Sequence, residues 1–185
     1  MKTGYIIGRF NHLTSGHVRI IEIGLETTDK LLIFIGSADK SGTDRNPFKI
    51  ETRLMLLQEV FADEIKSGKI ILAPLKDLSN ELDVPKDGAW GRYILDNAAK
   101  VLGAKPNISI YGLEEARTFW YSKEDLKDVE EIVYIRKEDS ISATDIRRYL
   151  REDNKEAWLL NTPEKIHKYY FSLREEILKI NGGKK

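Results

Sequence analysis

Cysteine is absent from this sequence, and histidine is scarce. None of the 185 residues is a cysteine, which excludes disulfides, cysteine-based zinc sites and cysteine nucleophiles and fits a reducing compartment. Only three histidines occur, so an all-histidine metal site is not expected. An excess of basic residues is missing as well, because Lys plus Arg and Asp plus Glu both number 30. This balance argues against a general nucleic-acid binder, although it is compatible with a local basic pocket for a small anion.

Long apolar runs are also missing. The first ten residues, MKTGYIIGRF, contain only a short apolar stretch before Gly8. A signal peptide needs an apolar core of about 7–15 residues, and a membrane-spanning helix needs ~20. We therefore expect a cytoplasmic protein with no membrane partner. The length of 185 residues predicts one domain with at most a small appendage.

Short apolar runs alternate with helical patterns along the chain. The strands are predicted at 5–7, 31–35, 69–73, 108–111 and 132–135, and the helices at 16–28, 50–65, 90–102, 144–151 and 163–180. This alternation predicts an α/β fold with a parallel sheet and right-handed crossovers. We expect residues 1–151 to form the α/β domain and residues 152–185 to form a helical extension packed on it.

Polar residues follow the first predicted strand, at the sheet edge where such folds bind ligands. The loop reads GRFNHLTSGH and is neither a Walker A loop nor GxGxxG. Thr14 and His17 share one face of a helix start, where free backbone N–H groups and the helix dipole favour anions. This arrangement suits a polyphosphate. The alternative is that Thr14 or Ser15 only caps the helix and that His17 is solvated.

A second helix start carries the sequence SISATDIRRYL. Ser142, Thr144 and Arg147 are spaced to meet an anion there. Ser142 followed three residues later by Asp145 also imitates a capping box, with Asp in place of the usual Glu. The two roles are compatible, because both place hydroxyl groups at a helix start.

Together the two elements resemble the signatures of the nucleotidylyltransferase superfamily. GRFNHLTSGH is similar to GRFxPxHxGH, and ISATDIR is similar to ISxTxxR. The stretch IGSADKSGTDRNPFKIETR resembles IGSAxxSxTxxNPFTxxER of the archaeal-type nicotinamide-mononucleotide adenylyltransferases. The resemblance covers approximately residues 3–171. It implies a Rossmann-like fold, with a parallel five-stranded sheet flanked by helices and with C-terminal helices.

The resemblance also implies a reaction. ATP and nicotinamide mononucleotide would give NAD and pyrophosphate, with nicotinic acid mononucleotide left open as a second acceptor. In such enzymes the acceptor phosphate attacks the α-phosphorus of ATP in line, so the protein positions two anions and stabilises charge on the leaving group. A divalent cation, usually Mg²⁺, bridges the ATP phosphates, and no protein residue is predicted to bind it. The family implies homo-oligomers, and no nucleic-acid partner is expected.

The matching positions carry the family's roles onto this chain. The catalytic residues implied are His17, Thr14 and Arg147. The residues implied to bind ATP and its phosphates are Gly8, Arg9, Phe10, Gly16, Arg45, Ser142 and Thr144. Trp90 resembles the aromatic residue that stacks on the nicotinamide ring, and Asp77 resembles an acidic residue that contacts the same base. The alternative for Trp90 is a helix-start residue packed in the core.

The chain departs from the superfamily signature in its first loop. Thr14 replaces the first His of HxGH, as in the TxGH form of phosphopantetheine adenylyltransferases, and its hydroxyl still offers a donor to a phosphate oxygen. His12 stands where the family usually has Pro. We expect an exposed loop histidine there, the alternative being that it replaces the missing imidazole. Two rival functions stay open: an adenylyl- or cytidylyltransferase acting on another phosphate acceptor such as phosphopantetheine, and a nucleotide sensor without turnover.

Overall fold

The computed structural model describes residues 1–78, 88–112, 120–135 and 141–180. The strands in these ranges are β1 Thr3–Gly8, β2 Lys30–Ile35, β3 Ile70–Pro74, β4 Ile108–Gly112 and β5 Glu130–Tyr134. The helices are α1 Ser15–Thr27, α2 Ile50–Val60, α3 Ala62–Lys66, α4 Ala89–Leu102, α5 Ala143–Arg151, α6 Lys155–Leu160 and α7 Tyr170–Lys179, with a 3₁₀ turn at Glu164–Tyr169. Residues 79–87, 113–119, 136–140 and 181–185 lie outside the described residues.

The strands form a parallel sheet in the order β3-β2-β1-β4-β5. Ile6 of β1 lies beside Ile33 of β2 on one side and Ile110 of β4 on the other. The chain moves outward from β1 through β2 to β3 and then returns to the other side of β1. The loops after β1 and β4 therefore diverge, which opens a crevice at the carboxyl ends of the strands. The predicted Rossmann-like, five-stranded parallel sheet is confirmed.

Apolar clusters bury both faces of the sheet. Ile6 and Ile33 belong to a cluster that also includes residues of α1, α2, α5 and α7. Tyr5 and Leu32 belong to a second cluster with residues of α4. Successive strand residues point to opposite faces. The uninterrupted apolar run 31–35 is therefore buried on both sides, and each of its residues is at most 1% exposed.

The residues after α5 pack into the first of these clusters. Trp158, Ile166, Tyr170, Leu173 and Ile177 are each at most 1% exposed and lie in the same cluster as the β1 residue Ile6. The C-terminal helices and the sheet thus share one core. None of the described helices is both long and apolar enough to cross a bilayer.

Several predicted helix bounds differ from those in the structure. The helix predicted at 50–65 is interrupted at Phe61, where a ψ of 35° separates α2 from α3. Helix α6 was not predicted, because it buries a single large side chain, Trp158, and is too short to show a helical period. The helix predicted at 163–180 starts as a 3₁₀ turn.

Candidate active site

A pocket lies where the strand order reverses. The carboxyl ends of β1, β4 and β5 form its floor, and the N-terminal ends of α1 and α5 face it. Seven of the residues assigned by sequence line this pocket, namely Gly8, Arg9, Phe10, Gly16, His17, Arg45 and Arg147. Thr14 contacts His17, while Ser142 and Thr144 flank Ala143, which also lines the pocket. The pocket therefore brings together the first loop, the second helix start and residues 45–48, which we call the NPF loop after Asn46, Pro47 and Phe48.

Thr14 caps α1 and orients the ring of His17. The hydroxyl oxygen of Thr14 accepts the backbone N–H of His17 at 3.3 Å. In return, Nδ1 of His17 accepts the backbone N–H of Thr14 at 3.2 Å and lies 3.0 Å from the hydroxyl oxygen. Because Nδ1 acts as an acceptor, the neutral imidazole carries its proton on Nε2. The predicted cap is confirmed, and His17 is half-buried at the pocket rather than a freely solvated residue.

Ser142 caps α5 in the same manner. Its hydroxyl oxygen accepts the backbone N–H of Asp145 at 3.1 Å, and the Asp145 carboxylate accepts the backbone N–H and the hydroxyl of Ser142 at 3.1 and 2.6 Å. These bonds, led by the one from the hydroxyl, hold the pKa of the Asp145 carboxyl below its usual value. The predicted capping box is confirmed. Thr144 accepts a bond from the Arg147 guanidinium at 3.0 Å, which leaves the hydroxyl proton of Thr144 as a donor.

The pocket is rich in positive charge. Arg9, Arg45 and Arg147 line it, and no acidic side chain is among its described lining residues. Burial lowers the pKa of Arg147, and the nearby charges of Arg151 and Arg9 lower it further; the guanidinium nevertheless stays protonated. Three cations beside two helix N-terminal ends form a site for an anion with several charges.

Arg53 was not assigned a role from the sequence, although it supports the loops that form the pocket. Its side chain is fully buried. It donates to the carbonyl oxygens of Arg9 at 3.1 Å and Gly36 at 2.8 Å, and to those of Ser37 at 3.0 Å and Lys40 at 3.3 Å. Burial lowers the pKa of Arg53. The sequence did contain a signal, since Arg53 occupies the helix face that carries the buried Leu56 and Leu57.

Two residues with left-handed backbone follow adjacent strands. Phe10, two residues beyond the end of β1, and Ser37, two beyond the end of β2, both have a φ of 48°. Both are almost fully buried. Such conformations cost about 1–3 kcal/mol for residues other than glycine and gather at functional sites. Arg53, which binds the carbonyls of Arg9 and Ser37, holds both turns in place.

His12 does not lie on the surface. Its side chain is fully buried, with Nδ1–H donating to the Leu13 carbonyl at 2.8 Å and Nε2 accepting the indole N–H of Trp158 at 3.0 Å. Burial lowers its pKa to about 4. The expectation of an exposed loop histidine is therefore wrong. The alternative fails too, because a buried ring with both nitrogens bonded to protein has none to offer a phosphate.

Trp90 and Asp77 lie apart from the lining of this pocket. Trp90 is half-buried at the start of α4. Its ring stacks on Tyr93 with centroids 5.5 Å apart and meets the edge of Trp120 at 6.2 Å. All three rings border the core cluster on the α4 side of the sheet. Neither Tyr93 nor Trp120 was assigned a role from the sequence.

Asp77 connects the loops that follow β2 and β3. Its carboxylate accepts the Ser37 hydroxyl at 3.1 Å and pairs with the Lys40 ammonium at 2.8 Å. Burial and the charges of Asp39 and Asp77 raise the pKa of Tyr93, the residue on which Trp90 stacks.

Among known protein families, residues 5–149 match the one described as cytidylyltransferase-like. The chain belongs to this family. The matched residues run from β1 almost to the end of α5, so they contain both capped helix starts and every arginine that lines the pocket. The resemblance drawn from the motifs is confirmed.

The cytidylyltransferase-like chain has relatives named nicotinamide-nucleotide adenylyltransferase. The protein of that name from Thermococcus kodakarensis is 27% identical over 171 residues, which cover 91% of this chain and 82% of the relative. The one from Pyrococcus furiosus is 28% identical over 177 residues, covering 94% and 85%. Both alignments extend beyond the residues that the family match covers.

Solved structures share the fold of this cytidylyltransferase-like chain. A bifunctional NMN adenylyltransferase/ADP ribose pyrophosphatase from Francisella tularensis, complexed with AMP and a manganese ion, superposes with a TM-score of 0.71 at 18% identity. The superposition covers 98% of this chain, which spans about half (53%) of that protein. A putative nicotinate-nucleotide adenylyltransferase from Vibrio parahaemolyticus gives 0.64 at 18% identity, with 96% of each chain covered.

Proposed function

We propose that this protein transfers the adenylyl group of ATP to nicotinamide mononucleotide, forming NAD and releasing pyrophosphate. The observation that carries the proposal is the pocket at the strand-order reversal, where three arginines and the capped starts of α1 and α5 meet. Relatives named nicotinamide-nucleotide adenylyltransferase, aligned over most of both chains, support the choice of donor and acceptor. Nicotinic acid mononucleotide is a second acceptor to test.

The chemistry requires one phosphorus–oxygen bond to form and one to break. An oxygen of the acceptor phosphate attacks the α-phosphorus of ATP, and the bond to the bridging oxygen breaks, so that pyrophosphate leaves with the electron pair. Negative charge grows on the leaving group in the transition state. We assign Nε2–H of His17 to a phosphate oxygen near the reacting bond. Arg147 and Thr144, at the start of α5, take the β- and γ-phosphates.

Thr14 acts through His17 in this proposal. Its hydroxyl oxygen accepts the backbone N–H of His17 and lies 3.0 Å from Nδ1 of the ring. A group that fixes the tautomer decides which nitrogen carries the proton that faces the substrate. The hydroxyl thus substitutes for the missing first histidine of the signature by orienting the second.

A divalent cation enters with the nucleotide. Within residues 1–78, 88–112, 120–135 and 141–180, no three His, Asp or Glu side chains form a group able to hold a metal ion, and the pocket lining is cationic. Mg²⁺ commonly keeps several waters and binds through substrate phosphates. These residues therefore suit Mg·ATP as the substrate, in which the cation neutralises part of the phosphate charge.

The acceptor base is assigned to the α4 side of the sheet. Trp90 offers an aromatic platform whose tilt is fixed by Tyr93 and Trp120. We assign Asp77 to the same base, and the contribution of its charge to the raised pKa of Tyr93 supports this assignment. An aromatic face suits a nicotinamide ring, and a carboxylate suits the N–H of its carboxamide.

The test is a product assay across acceptors. The protein is incubated with Mg·ATP and, separately, nicotinamide mononucleotide, nicotinic acid mononucleotide and phosphopantetheine, and both pyrophosphate and the nucleotide product are measured. We expect NAD from the first acceptor. Formation of dephospho-coenzyme A alone would replace the proposal with the phosphopantetheine rival. Tight ATP binding with no pyrophosphate from any acceptor would favour the sensor.

A further inference from the structure

A buried hydrogen bond connects the loop of residues 9–14, which follows β1, to the C-terminal helices. Trp158 of α6 donates its indole N–H to Nε2 of His12 at 3.0 Å, across 146 positions of the chain. Both side chains are fully buried, and their rings meet edge to face with centroids 5.6 Å apart. Nδ1–H of His12 is bonded to the Leu13 carbonyl. The imidazole is thus held on both nitrogens, midway between Phe10, which lines the pocket, and Thr14, which caps α1.

Hydrogen bonds also connect the loop of residues 9–14 to the NPF loop. Asn11, next to His12, donates its amide N–H to the Asn46 side chain at 2.8 Å and accepts the backbone N–H of Phe48 at 3.3 Å. Asn46 and Phe48 lie one and three residues after Arg45. Arg45 itself lines the pocket. Residues 10–14 and 45–48 therefore form one bonded unit, and His12 connects that unit to α6.

A second contact from the C-terminal helices reaches the same unit. Glu176 of α7 accepts the backbone N–H of Lys49 at 2.9 Å and the hydroxyl of Thr52 at 2.8 Å. It therefore caps the start of α2, immediately after Phe48. Helices α6 and α7 thus hold both ends of the bonded unit, although neither helix lines the pocket among its described residues.

We propose that His12 is a positioning residue for adenylyl transfer, and that its bond to Trp158 makes the C-terminal helices part of the apparatus that places the polyphosphate. The inference rests on the proposed function. It concerns the position where the chain departs from the family signature, since a proline has no side-chain acceptor for an indole N–H. The buried, neutral ring is suited to accept that bond at neutral pH.

The test compares variants that differ in their ability to accept the indole N–H. His12→Leu removes the acceptor and leaves Trp158 without this partner, whereas His12→Gln retains a side-chain oxygen able to accept. We expect His12→Leu to lower kcat and weaken Mg·ATP binding, each by about tenfold, because small displacements of positioned groups are costly. His12→Gln should restore most of both. Trp158→Phe, which keeps an aromatic ring and loses the donor, should match His12→Leu.

The matched control removes a different bond from the same aromatic cluster. Tyr170 packs on Trp158 with centroids 5.2 Å apart and donates its hydroxyl to Asp153 at 2.7 Å. Tyr170→Phe should lower the melting temperature without changing kcat or ATP affinity. All rates are measured well below the melting temperature of each variant, and the folded state is checked by near-ultraviolet circular dichroism. The double variant His12→Leu/Trp158→Phe should be no worse than either single one, because both act through one bond.

The outcomes separate this inference from the proposed function. Absence of NAD from the wild-type protein would refute the function, while Mg·ATP affinity measured by calorimetry would still decide the role of His12. Equal losses of activity in Tyr170→Phe and Trp158→Phe at equal loss of stability would overturn the positioning role. Unchanged ATP affinity and turnover in His12→Leu would overturn it as well, as would additive losses in the double variant.

Discussion

Acidification should destabilise this protein through His12, because the folded state keeps its imidazole neutral while the unfolded chain lets it bind a proton. The pKa of His12 falls from 6.5 to about 4 in the folded protein, chiefly through burial. The folded state therefore binds fewer protons than the unfolded state between these two values. The contribution of His12 to the free energy of unfolding is therefore fully present above about pH 6.5, and it is lost as the pH falls towards 4.

The size of the effect follows from the width of that window. Each pH unit between the two pKa values is worth about 1.4 kcal/mol, so the window of pH 6.5 to 4 removes about 3 kcal/mol of the free energy of unfolding. The free energy of unfolding of a typical domain is about 5–15 kcal/mol, so this loss is a large part of it. Protonation also turns Nε2 into a donor facing the indole N–H of Trp158, which breaks the bond between them.

The assay is urea unfolding at a series of pH values from 7.5 to 4.5. His12→Gln provides the reference, because it cannot titrate in this range and still offers an acceptor to Trp158. The wild-type free energy of unfolding should fall relative to that of the variant by about 1.4 kcal/mol per pH unit below pH 6. Parallel curves for the two proteins over the whole range would refute the argument.

Other substitutions test the pocket and the acceptor side. His17→Ala should reduce turnover by about 10²–10³-fold, as loss of a transition-state donor does, with a much smaller change in Mg·ATP affinity; equal losses in both would deny it a transition-state role. Thr14→Val should lower turnover by about tenfold and stability by about 1 kcal/mol, and Thr14→Ser should retain both in the same steady-state and melting measurements. Trp90→Ala should raise the KM for the mononucleotide more than that for ATP, since stacking is largely uniform binding. Gly91→Ala should cost about 1–3 kcal/mol in thermal unfolding, because the new Cβ would meet the Trp120 carbonyl oxygen; an unchanged melting temperature would contradict this close packing.

The central strands β1, β2 and β4 were predictable because they are buried on both faces. Such strands need continuous apolar runs, and the run at 31–35 is one of these. The grouping of Gly8, Arg9, His17 and Arg147 at one pocket was predictable for a related reason, since these residues lie in short motifs at strand ends and helix starts. His17 and Arg147 are each near their partners in the chain, and the fold only had to bring two local units together.

Long-range contacts account for what the sequence did not reveal. The burial of His12 depends on Trp158, which is 146 positions away, and no local pattern announces such a partner. The place of Arg53 on the buried face of α2 was visible in the sequence, but its partners were not, because they are backbone carbonyls of other loops. Helix α6 buries one large side chain, the indole of Trp158, and is too short to show a periodic apolar face.

The arginines that line the pocket, and Arg53 beneath its loops, place several positive charges close together. Burial is the main reason why the pKa values of Arg53 and Arg147 are lowered, and the charge of Arg9 lowers both further. The charges of Asp77, Glu51 and Asp39 act in the opposite direction on Arg53. A polyphosphate bound in the pocket would bring negative charge beside Arg9, Arg45 and Arg147. A polyphosphate that binds the folded chain and not the unfolded one adds to the free energy of unfolding, so the melting temperature should rise with the concentration of nucleotide.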